Sequence, residues 1–153
     1  MTRRPFTAAA LSLVALAGAA GAAHAVDRAA VTGFRRAAAN SAMAYMGCRL
    51  DARAEIAAAR KRMEAREPID PDRGGKVAAC VGKARDGVYA MGPSLNALIS
   101  ASPYDAGKLV KDWYVTSLTA LDNLLVDVAN LRDGQDATTD LQWRLDKAAS
   151  ALP

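Results

Sequence analysis

The sequence predicts an all-α protein, an antiparallel bundle of about four main helices. Three observations carry that expectation. Beyond residue 26, apolar residues recur every three or four positions, the spacing of one face of a helix. Alanine, the strongest helix former, fills many of the positions between them, and runs of β-branched residues are absent. Proline and glycine gather at a few points and cut the chain into helix-length pieces.

The first piece is of another kind. Met1 to Ala25 has the three regions of a signal peptide: Arg3 and Arg4, a small or apolar run from Ala8 to Ala23 broken only by Ser12, and the cleavage pattern Ala23-His24-Ala25. The run is short and alanine-rich for a membrane span, which needs roughly 20 strongly apolar residues. Thr2-Arg3-Arg4-Pro5-Phe6 resembles the twin-arginine export signal. Thr7 and Ala8 depart from that pattern, and an ordinary positive n-region explains the two arginines more simply. We therefore expect export with cleavage after Ala25, a periplasmic or secreted protein, and a single helical domain over 26–153. No second hydrophobic run follows, so no membrane span is expected in the mature chain.

Cleavage changes the chemistry that remains. Removing 25 of the 153 residues leaves 128, enough to bury a core. Two of the 20 basic residues leave with the signal, so 18 face 16 acidic ones, and the basic precursor is no sign of nucleic-acid binding. The one histidine, His24, is also lost, and with it the commonest general base and metal ligand. Neither a C-x-x-C-H haem motif nor a Gly-rich phosphate loop is present. No cofactor and no enzymatic activity are expected.

Four stripes define the helices. Val31, Phe34, Ala38, Ser41, Tyr45, Cys48, Ala52, Ile56, Ala59 and Met63 imply a helix from about Asp27 to Arg66, with Gly47 as a place to kink. Glu67 to Gly75 holds two prolines and two glycines and reads as a loop. Val77, Cys80, Ala84, Val88 and Met91 form the second stripe, which Gly92-Pro93 kinks or splits. Ser102-Pro103 has the pattern of an N-cap followed by proline at the first helical position. Val110, Tyr114, Leu118, Leu121, Leu125 and Val128, flanked by Trp113 and Leu124, form the third stripe, ending near Asp133-Gly134. Asp136 can cap the last helix, whose inner face holds Ala137, Leu141, Leu145, Ala148 and Leu152.

Cys48 and Cys80 are the two cysteines, and an oxidising compartment favours their pairing. The pairing conflicts with a simple hairpin. Cys48 stands roughly 27 Å from the end of the first helix, whereas Cys80 stands only about 8 Å into the second. A bridge allows about 7 Å between Cα atoms. Either the loop runs back along the first helix, or that helix breaks between Gly47 and Asp51.

The remaining candidates are weak. Met43, Met46, Met63 and Met91 could offer soft thioethers to copper, but read more simply as filling an alanine-rich core. Arg49, Arg53, Arg60, Lys61, Arg62 and Arg66, interleaved with acids, read as a solvated face of mixed charge, with Arg60 and Glu64 spaced to pair. Trp143 shares a polar face with Asp140 and Lys147 and is the candidate interface anchor. The leading expectation is a non-enzymatic module that binds a protein of the envelope. The alternative is a carrier, in which the narrow alanine surface of the first helix leaves a cavity for a small apolar ligand.

Overall fold

The computed structural model describes residues 26–152. The signal-peptide reading, with cleavage after Ala25, therefore lies outside the described residues. Helices α1 (Arg28–Glu64), α2 (Gly75–Ala90), α3 (Gly92–Ala101), α4 (Tyr104–Ala129) and α5 (Thr138–Ala151) make an all-α bundle of four rods, with α2 and α3 forming one bent rod. The bend falls where expected, at Gly92-Pro93, because a proline ring cannot continue the preceding turn. Successive rods run antiparallel, and α1 packs against each of the other four helices. None of the described helices is long and apolar enough to cross a membrane.

The expected inner face of α1 is the observed one from Val31 to Ala59, except that Ser41 is half-buried. α1 runs through Gly47 without interruption. Its end has a specific cause. Arg66 takes a left-handed φ of 58°, the amide of Arg66 donates to Met63 O, and that of Glu67 donates to Arg62 O. This is the Schellman pattern, which satisfies the last carbonyls of a helix. Helix α4 stops in the same way at Leu131, φ 50°, with Leu131 N donating to Val128 O and Arg132 N to Asp127 O. That stop comes earlier than the expected one at Asp133-Gly134, and leucine rather than glycine takes the left-handed residue.

The cysteine conflict is resolved by the loop and not by a break in the helix. Residues 65–74 run back along α1, with Ile69, Asp70 and Asp72 beside Ala58, Ala59 and Arg62. The loop is fixed where the Gly74 amide donates to the Glu55 carboxylate. Gly74 has φ 91°, a conformation that a side chain would strain. From this start α2 climbs antiparallel to α1: Lys76 pairs with Asp51 at 2.6 Å, and Cys48 and Cys80 are bonded with 5.5 Å between their Cα atoms.

Two apolar clusters fill the bundle. One centres on Cys48, Ile56, Val81, Leu121 and Leu124. The other joins Phe34, Leu98, Trp113, Leu145 and Leu152, with Phe34 and Trp113 edge to face at 5.4 Å between centroids. Each large side chain buried in this way contributes about 1.5 to 3 kcal/mol. On α4 the buried stripe is rotated from the expected one. Trp113, Ser117, Ala120 and Leu124 are buried, whereas Tyr114, Leu118 and Leu125 are half-buried, because neighbours flank α4 on several sides. Ser102 does not cap α4; its hydroxyl donates back to Leu98 O at 2.6 Å and closes α3 instead.

Three of the cations assigned to a solvated face have structural work. Arg60 donates through Nε and Nη2 to Leu131 O, at 3.1 and 2.8 Å, rather than pairing with Glu64. Arg49 stands 3.7 Å from Asp133 and 3.5 Å from Asp136, and Arg53 stands 3.2 Å from Asp133. The Tyr45 hydroxyl accepts from the Ala137 amide at 3.1 Å. Together these α1 side chains hold the α4–α5 connection.

Candidate functional site

Where α1 and the bent rod α2–α3 diverge, they leave a groove. The disulfide holds the two rods together at one end, and the bend at Met91–Gly92 carries α3 along the N-terminal part of α1. The facing residues are too small to fill the gap. On α1 they are Ala30, Gly33, Ala37 and Ala44, and on the other wall Gly87, Ala90, Ala97 and Ala101.

The groove has two continuous parts that share Ala37 and Met91. The part against α3 is about 770 Å³ and is floored by Phe34, Leu95 and Leu98. The part against α2 is about 530 Å³ and reaches the Cys48–Cys80 bridge. Both volumes fall in the range of small-ligand sites. Phe34 rests against the buried Trp113, so the floor of the groove is also the wall of the second core cluster.

Polar groups are few and placed at the edges. The Ser41 hydroxyl donates to Ala37 O at 3.1 Å and lies 3.7 Å from Met91 Sδ, so it is already engaged. Asp27 closes one end, and its carboxylate accepts from the Ala29 amide at 2.9 Å as the N-cap of α1. Lys83 and Asn40 stand at the rim of the other part. Helix α3 carries no charged residue. Such a groove offers apolar burial along its length and one ammonium group at its rim.

The ionisable groups with clearly shifted pKa values lie elsewhere. Hydrogen bonds from Thr138, through its hydroxyl and its amide, hold the Asp136 carboxyl below its ordinary value, helped by Arg49 and Arg53. A hydrogen bond to the Tyr89 hydroxyl and the charge of Asp122 raise Arg85, and Asp51 raises Lys76. Arg85 Nη1 and Asp122 Oδ1 are 3.0 Å apart, an ion pair without hydrogen-bond alignment.

The residues expected at a surface site are only partly brought together. Trp143 is 55% exposed, with Lys147 Nζ 4.9 Å from its ring centroid, whereas Asp140 turns to Arg144 at 2.9 Å. Met43, Met46 and Met63, expected in the core, are exposed, and Met91 is half-buried in the groove. Met43, Met46 and Leu50 share the outer face of α1, whereas Met63 lies exposed near its end. Sequence reasoning missed Lys83, and it named Met91 and the alanine surface of α1 without bringing them together in one groove. The signal was present, since Ala30, Gly33, Ala37 and Ala44 repeat at helical spacing beside the core stripe. In comparisons with protein-family models, curated proteins and solved structures, nothing matches the chain.

Proposed function

We propose that this is an exported, non-enzymatic binding protein that carries a small apolar ligand in the groove between α1 and α2–α3. The observation that carries this reading is the groove itself, about 770 Å³ beside α3, walled by small and apolar side chains and floored by Phe34, Leu95 and Leu98. A ligand lying there gains the burial that alanine and glycine leave unfilled. The disulfide supports the exported part of the reading, because such bonds persist in oxidising compartments.

Native mass spectrometry of protein recovered from its own envelope, with thiols alkylated beforehand, tests it. A reproducible additional mass, released on denaturation, is the expected result. The bare chain, together with no binding of an apolar fluorescent dye by the purified protein, would defeat the carrier reading.

A second reading, docking on a protein of the envelope through Trp143, rests on that side chain being 55% exposed. It is weaker, because binding anchors sit among other apolar groups, while Gln142, Asp146 and Lys147 surround Trp143 on the exposed side of α5. If Trp143 is an anchor, Trp143→Ala weakens capture of the partner by more than about 1 kcal/mol.

A further inference from the structure

We infer that the occupant is a single-chain anionic amphiphile, a long-chain fatty acid, lying with its carboxylate at Lys83 and its tail toward Val26. This rests on the carrier reading and adds the ligand's class and direction.

The groove's length suits an extended chain. It follows α1, and its two parts share Ala37 and the flexible side chain of Met91. Ala44 lines the same part of the groove as Lys83, and from Ala44 to Ala30 is about 21 Å along α1. That is the extended length of an acyl chain of roughly sixteen carbons. Met91, at the junction, adapts to a chain that bends with the rod.

Charge sets the direction. Among the described residues that line the groove, Lys83 and Asp27 are the ionised ones, one in each part. Lys83 joins no ion pair among the described residues, so its ammonium is free for an anion. Asn40 shares the rim and offers an amide as a second donor. At the other end Asp27 already caps α1, and its negative charge repels an anionic head. An uncharged lipid makes no use of the lysine.

Purified disulfide-bonded protein, carrying Trp143→Phe so that Trp113 alone reports on Phe34 and the groove, is titrated with hexadecanoate, its methyl ester and hexadecyltrimethylammonium. All are used below micelle-forming concentrations. The acid is expected to bind tightest, and Lys83→Gln to weaken it by about fivefold to tenfold while leaving the ester unchanged. Ala37→Phe, which fills the junction without adding a second tryptophan, is expected to weaken acid and ester alike, with circular dichroism verifying the fold. Equal affinity for acid, ester and cation, insensitive to Lys83→Gln, would overturn the carboxylate assignment and leave the carrier standing. No saturable binding of any of the three would overturn both.

Discussion

The Gly74 amide donates to the Glu55 carboxylate, and this one bond sets where α2 begins against α1. Without it the ten-residue connection has no fixed point from which Cys80 is carried to Cys48. Glu55→Ala is therefore expected to lower stability by about 1 to 2 kcal/mol and to slow formation of the disulfide during oxidative refolding. Urea denaturation and thiol quenching measure the two effects. Unchanged rates would mean that Lys76 and Asp51 suffice to hold the loop.

The Cys48–Cys80 bond closes 32 residues of sequence separation, and in the chain-entropy model such a bridge contributes about 3 to 4 kcal/mol. The Cys48→Ala, Cys80→Ala double variant should lose about that much on urea denaturation. It should also lose affinity for any groove ligand, since the bridge holds the rods together at one end of the groove.

Arg66 and Leu131 sit in left-handed conformations that ordinary side chains resist by about 1 to 2 kcal/mol. Arg66 is exposed, so Arg66→Gly removes strain without removing packing and should raise stability by about 0.5 to 1 kcal/mol. Leu131 is half-buried, so Leu131→Gly should gain less or lose. Thermal denaturation of both variants side by side checks the contrast.

Gly134 is required for space. A methyl group there would overlap the Asp127 carboxylate, which is mostly buried and stands 3.8 Å from Arg132. Gly134→Ala is expected to cost about 1 to 3 kcal/mol, and Asp127→Ala should recover part of that loss. A double-mutant cycle with additive losses would show that the two residues do not compete for room.

Asp136 supplies a pH dependence of known sign. Its folded pKa lies below the ordinary 3.8, so its charge stabilises the fold above that value. The contribution is lost as pH falls through the depressed folded value. Asp136→Asn keeps an acceptor for Thr138 but no charge. Its stability deficit against the parent, measured in urea, should therefore be present at neutral pH and vanish in strong acid. A deficit constant with pH would assign the effect to shape alone.

The helices were legible because burial imposes a period. Val31 to Ala59 on α1, Ser41 aside, and Leu141, Leu145 and Ala148 on α5 are buried as their spacing implies. The helix ends were less legible. Leu131 and Arg66 take conformations that favour glycine, held there by their own and the next residue's backbone bonds, which reach three and five residues back, and, at Leu131, by Arg60 from α1. The path of the loop depends on the distant Glu55, which local pattern does not reveal. The groove was half legible. Small residues on α1 show that two rods could approach closely or leave a gap. The bend at Gly92 and the bridge at Cys80 together leave the gap.

The bundle's connectivity also bears on how the chain is handled before it folds. Leu145, Ala148 and Leu152 of the last helical stretch pack with Val26, Phe34 and Ala38 at the start of the first. The start of α1 thus lacks its full set of neighbours until α5 has been made. On the proposed export, a translocation channel that threads an extended polypeptide would meet a chain whose first core layer cannot yet close.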